Sequence, residues 1–150
     1  LPSPTLSIND VIVNEDAGTA NFTVEASAVS GSNITFSFVT SNINAVAGSD
    51  YNSTSGNGVI TRGSTTTIIT VPIIDDSIDE INESFNVFLS SPLNATISDA
   101  VGLGTILDND AVIITPAVAI PILNLYGLIL LMLSLIGVVF YNRYLTERSS

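Results

Sequence analysis

A period of two constrains this chain more than any other feature. Apolar and polar residues alternate at Phe22/Val24, at Ile34/Phe36/Phe38 and at Phe85/Val87/Leu89, so each run sends one set of side chains to each face of a pleated strand. Thr, Val, Ile and Phe dominate these runs, and such residues pack well on a half-buried pleat. Turn chemistry separates them: Asp16-Ala17-Gly18, Gly48-Ser49-Asp50, Ser55-Gly56-Asn57-Gly58 and Arg62-Gly63-Ser64. The pattern predicts strands over Thr5–Val13, Thr19–Ser27, Asn33–Thr40, Gly58–Thr61, Thr65–Ile74, Ser84–Ser90 and Val101–Leu107.

Seven short strands in about 100 residues, with no helical period among them, describe an all-β immunoglobulin-like sandwich. The pattern then stops. Between Asp110 and Arg143 there is no charged residue. Pro116 and Pro121 break the first part of this stretch, so 111–121 is expected to be a linker. From Ile122 to Tyr144 the chain is apolar on every face of a helix, and about 20 such residues span the ~30 Å core of a bilayer. Tyr126, Tyr141 and Tyr144 stand near the two ends, and Arg143 and Arg148 follow, which places the C-terminus inside and the β-domain outside. The expected organisation is therefore a sandwich over 1–110, a linker over 111–121, and a hydrophobic helix with a short basic tail over 122–150. The start at Leu1 fits a mature N-terminus after removal of a signal peptide.

Charge and missing residue types narrow the function. The chain has fourteen acidic residues, three arginines, and no lysine, histidine or cysteine. A surface this acidic repels phosphate backbones, which excludes nucleic acid as a partner. Without His or Cys there is no ordinary general base near neutrality and no thiolate, and soft-metal sites lose their preferred ligands. No substrate-positioning group or small-molecule substrate site is legible, so an enzyme is not expected. Five Asn-x-Ser/Thr sites occur, at Asn21, Asn33, Asn52, Asn82 and Asn94; several arise by chance in a strand protein rich in Ser, Thr and Asn, so glycosylation is the minority reading.

The acidic residues cluster at strand ends: Glu15 and Asp16, Asp50, then Asp75, Asp76, Asp79, Glu80 and Glu83, and finally Asp108 and Asp110. Converging carboxylates repel unless a cation neutralises them, and Ca²⁺, with six to eight oxygen ligands at about 2.3–2.6 Å, suits Asp-rich loops. The same loops could equally be solvated faces that keep the protein soluble.

The chain resembles the Calx-β domain family. The resemblance rests on Pro-Thr-Leu-Ser-Ile-Asn-Asp-Val (4–11), Asn-Glu-Asp-Ala-Gly-Thr-Ala (14–20), Ala-Gly-Ser-Asp-Tyr (47–51), Ile-Thr-Val-Pro-Ile-Ile-Asp-Asp (69–76), Asn-Glu-Ser-Phe (82–85) and Gly-Thr-Ile-Leu-Asp-Asn-Asp (104–110). It implies a seven-stranded sandwich with Ca²⁺ held by loops at one end. Carried over by position, it implies Glu15, Asp50, Asp75, Asp76, Glu80, Glu83, Asp108 and Asp110 as side-chain ligands, with Ile78 offering a backbone carbonyl. Ser77 and Asn109 stand where calcium-binding members often carry another Asp. One or two low-affinity sites follow, in the range of roughly 10⁻⁴–10⁻³ M.

The tail, Ile120-Pro121-Ile122-Leu123-Asn124-Leu125-Tyr126-Gly127 before the helix, is similar to bacterial C-terminal sorting signals of the Ile-Pro-Thr-Leu type. It matches at Ile120, Pro121, Leu123 and Gly127 and departs at Ile122, Asn124, Leu125 and Tyr126. A helix apolar all round needs covering, and two arrangements supply it. Helices of many copies can pack in the core of a cell-surface filament, making the chain an extracellular homopolymer subunit. Alternatively the helix can anchor a surface or adhesion protein by a single pass. Membrane residence of 122–144 before assembly joins the two arrangements.

Overall fold

The structure, a computed structural model, describes residues 3–111 and 125–147. These fall into two compact units, one holding all the strands and the other the helix.

The strand unit contains β1 (Thr5–Ile8), β2 (Val11–Asn14), β3 (Thr19–Ala26), β4 (Ile34–Asn42), β5 (Ser55–Ile60), β6 (Thr66–Pro72), β7 (Glu83–Leu93), β8 (Thr96–Ile97) and β9 (Val101–Leu107). They form two sheets, ordered β6-β3-β1-β8 and β2-β9-β7-β4-β5. The all-β sandwich is as expected, but its first segment is divided. Thr5–Val13, expected as one strand, is two. β1 pairs antiparallel with β3 in the first sheet, and β2 pairs parallel with β9 in the second. The chain changes sheets at Asn9-Asp10. Polar atoms tie down that crossing: Asn9 Oδ1 accepts from the Thr23 N–H at 2.5 Å, and Asp10 Oδ1 accepts from the Leu103 N–H at 2.8 Å. The short β8 has no alternation long enough to read from sequence. β5 begins at Ser55, where Ser55-Gly56-Asn57-Gly58 was read as a turn, because the antiparallel ladder with β4 runs on from Ile34↔Ile60 to Val39↔Ser55.

Inward residues of both sheets make one core, with Phe22, Phe36, Phe85, Leu6, Val24 and Val71 fully buried. Phe85 is its hub. Its ring lies edge-on to Phe22 at 5.9 Å between centroids and stacks on Tyr51 at 4.3 Å. Tyr51 in turn donates to Asn42 Oδ1 at 2.6 Å, so the core is joined to the loops at one end of the sandwich.

The second unit is helix α1, Leu125–Glu147. Gly127 and Leu125 lie within it. The linker expected over 111–121 lies, apart from Ala111, outside the described residues, as do Ile120–Asn124 of the sorting-type motif. Among the described residues no helix is long and apolar enough to cross a membrane, so the span expected over 122–144 is not found there.

Candidate metal centre

Strand register assembles the acidic end. β2 and β9 run parallel with Val13 beside Ile106 and Asn14 beside Leu107. The next residue on each chain, Glu15 and Asp108, therefore emerges at the same end. β7 runs antiparallel to β9 with Glu83 beside Ile106, which delivers Glu83 there as well. Asp50 arrives from the long β4–β5 connection. Tyr51 bridges to Ile73, and the Asp50 carbonyl accepts from the Ile74 N–H at 3.0 Å.

Two groups of three carboxylates result. In one, Glu15, Asp108 and Asp110 bring an oxygen each within 4.8 Å of the others, and in the second Asp50, Glu80 and Glu83 do the same. Glu15, Asp50, Glu80, Glu83 and Asp108 line a single small hollow together with the exposed Ile81 and the buried Ile106. Six of the nine positions implied by the family resemblance thus meet. Asp75, Asp76 and Ile78 sit in the adjoining exposed loop. Asp76 reaches the site through its backbone, which donates to the Glu15 carboxylate. Ile78 takes part through its N–H, which donates to Asp76 Oδ1 at 2.7 Å.

The electrostatics are those of crowded like charges. Glu15 is 6% exposed; burial lifts its carboxyl above the usual range, the Asp76 N–H opposes that, and the charges of Asp76, Asp110 and Asp108 add to it. Glu83 is pushed up to about 7 by burial, by a hydrogen bond with the Asp50 carboxyl, and by the charges of Asp50, Glu80 and Glu15. Glu80 is exposed as a residue, but its carboxyl is also raised, first by desolvation and then by Asp50, Asp76 and Asp108. Asp110 is raised by desolvation and by Asp108, Asp75, Asp76 and Asp79. Its Oδ2 is buried and has no hydrogen-bond partner among the described residues.

These features fit a hard cation. Two oxygens bound to one Ca²⁺ at about 2.3–2.6 Å lie at most about 5 Å apart, and each carboxylate group already satisfies that spacing. The donors are all oxygen, which disfavours soft metals. An orphaned carboxylate oxygen also calls for a positive partner. The sandwich's one basic residue, Arg62, cannot supply it. It lies in the β5–β6 turn beside Asn33, at the opposite end of β4 from Asn42.

Two asparagines frame the site, and sequence reading did not select them. Asn82 Oδ1 accepts from the Asp108 N–H at 3.2 Å, and Asn44 Oδ1 accepts from the Ser84 N–H at 2.8 Å. The first holds the backbone of Asp108 itself, and the second that of the residue following Glu83. Neither has a local signature, because the partners are 26 and 40 residues away. The Asn82 acceptor role also occupies an oxygen of one Asn-x-Ser/Thr site. Asp79, which adds charge against Asp110, was visible in the acidic run but not assigned to the ligand set.

Known proteins agree with this architecture. The crystal structure of the apo-form Calx CBD1 domain superposes with a TM-score of 0.69 at 20% identity, over 73% of this chain and 100% of that one. The calcium binding domain CBD12 of CALX1.1 gives 0.66 at 21% identity, over 70% of this chain and 46% of that one. The Calx CBD2 domain gives 0.62 at 14% identity, over 73% and 91%. At these identities the likeness is one of fold. No curated protein matches the chain. The family model of the Calx-beta domain matches residues 3–115, and the chain therefore belongs to the Calx-beta domain family.

Proposed function

We propose that this chain is a calcium-binding structural module that works outside the cell, not an enzyme. One observation carries the calcium assignment: two groups of three carboxylates at one end of the sandwich, their oxygens within 4.8 Å, beside a buried carboxylate oxygen on Asp110 without a partner. Glu15, Asp108 and Asp110 would hold one ion, and Asp50, Glu80 and Glu83 a second or shared one. Asp75 and Asp76 would supply further charge, and the Ile78 carbonyl a neutral ligand. The bound ion neutralises the end of the sandwich, and because Asp108 and Asp110 close the domain, it also stiffens the exit toward the C-terminal segment.

The helix supports a second element of the reading. Leu130, Met132, Leu133, Ile136, Val139 and Phe140 are all more than half exposed, and they do not leave a polar face. Copies of the same helix would cover them in the core of a cell-surface filament, with the sandwiches displayed outside and the sorting-type segment serving membrane residence before assembly. The other reading places the helix in lipid as the anchor of a single-pass surface or adhesion protein.

Calcium titration of the full chain, followed by calorimetry and melting temperature, tests the first element. No response at about 10 mM Ca²⁺, well above the affinity range of extracellular modules, defeats it. Imaging of the native material tests the second. Several helices per cross-section support the filament, and single chains in a detergent belt defeat it.

A further inference from the structure

The outer face of the β2-β9-β7-β4-β5 sheet differs from the rest of this acidic domain. Its outward strand positions carry no Asp, Glu, Lys or Arg. The corresponding face of the other sheet is mostly Thr and Asn, with Glu25 exposed on β3 and a single large apolar side chain, Ile68, exposed on β6. Apolar side chains instead line up across the charge-free face. Val39 on β4 is paired with Phe88 on β7, and Phe88 with Val101 on β9. Leu103 extends this stripe along β9, Val59 lies farther along the same face opposite Thr35, and all five are between 36% and 46% exposed. Cross-strand neighbours on one face lie about 4.5–5.5 Å apart, so Val39, Phe88 and Val101 form a continuous apolar row. Solvated faces of antiparallel sheets are ordinarily polar, and a continuous exposed apolar row marks a contact surface.

We infer that this face is where two copies of the sandwich pack against each other, with Phe88 at the centre of a two-fold contact. Charge identifies the occupant. The chain has a net charge of −11, and both the carboxylate end and, through Glu25, the other sheet meet a second copy with like charge. Here the two meet none. A basic partner would be drawn to the carboxylate loops and not to this face. Geometry agrees, because β7 is the middle strand of the five. A two-fold axis near Phe88 lays the row of each copy on that of the other, as an isologous contact requires.

Size predicts the strength. Five strands about 4.8 Å apart and about 20 Å long present roughly 500 Å² per copy, so about 1,000 Å² in total, at the weak end of specific interfaces. Such a contact is transient between free molecules. It becomes effective when copies are held at millimolar effective concentration by another interaction. The inference thus rests on the self-association proposed above and names the surface that the sandwiches use.

The absence of native cysteine makes site-specific cross-linking direct. Asn86→Cys and Ser90→Cys place a thiol on either side of Phe88 on the outer face of β7, and Thr23→Cys places one on the opposite sheet. The full chain, in its assembled state, is treated with a bis-maleimide of about 10 Å, the spacing of packed sheets. The β7 thiols should cross-link copy to copy at least tenfold faster than the thiol at position 23, and adding Phe88→Glu should remove that difference. Equal cross-linking from both faces in an oligomeric sample overturns the sheet contact but leaves self-association standing. A monomeric sample without cross-links overturns both.

Discussion

The carboxyl groups of Glu83 and Asp50 hydrogen-bond to each other at the acidic end of the sandwich, and with burial and the neighbouring charges this pushes Glu83 up to about 7. Without a cation Glu83 retains a proton on part of the molecules near neutrality. A cation bound to this pair takes the place of that proton, which links metal affinity to pH.

That linkage has a definite sign. The Glu83 carboxyl ordinarily titrates near 4.5 and in the fold near 7. Between those values the native chain holds more protons than the unfolded one, so stability falls as pH rises. Glu15, Glu80 and Asp110 are also raised and act in the same direction. Chelator-treated protein should therefore melt at a lower temperature at pH 7.5 than at pH 5, while calcium affinity rises over the same interval. A metal-free melting temperature that increases across this window contradicts the clustered arrangement.

Neutralising the pair separates repulsion from binding. Asp50→Asn or Glu83→Gln should raise the metal-free melting temperature at pH 7.5 and abolish most of the calcium response. For a dissociation constant of roughly 10⁻⁴–10⁻³ M, about 10 mM Ca²⁺ stabilises the wild type by about 1.4–2.7 kcal/mol. Thermal melts with and without calcium measure both effects, and a retained calcium shift in both variants removes these residues from the ligand set.

Gly104 tests how the core supports the site. A Cβ there would sit 2.6 Å from Phe85 Cζ. Phe85 cannot give way easily because its ring is stacked on Tyr51 and held edge-on by Phe22. Gly104→Ala should cost about 1–3 kcal/mol, as overpacking of a filled core does. Denaturant unfolding would show the loss, and a neutral result would mean that the Phe85–Tyr51 stack is loose.

On the helix, a substitution can report on neighbours that a single chain lacks. A Cβ at Gly137 meets nothing within 4 Å, and leaving glycine favours helix formation. Gly137→Leu is therefore harmless to an isolated chain, but it keeps packed helices apart. We expect loss of assembly with the helical content retained, read by sedimentation and circular dichroism. Unchanged assembly would place position 137 away from any helix contact.

The sandwich was legible because its signal is local. Phe22/Val24 and Phe85/Val87/Leu89 point inward as their alternation required, and all but Leu89 are fully buried. The division of Thr5–Val13 between two sheets was not legible. The polar pair Asn9-Asp10 interrupts the alternation and the inward positions shift from Leu6/Ile8 to Val11/Val13, but only the partners β3 and β9 show that the halves lie in different sheets. The carboxylates were visible as residues, but their grouping was not. Asp50, in the β4–β5 connection, and Glu83, at the start of β7, are 33 residues apart, and no local rule pairs them.

By itself the sequence determined which segments alternate, where most of the turns fall, and that acidic residues collect at strand ends, since these follow from residue type and nearest neighbours. The tertiary structure alone decided that Glu15 stands beside Asp108. That adjacency arises from a parallel register between the second strand and the last, with Asn14 opposite Leu107. Register between strands so distant in the chain is chosen by how both fill one shared core, and that information belongs to the packed molecule and not to either segment.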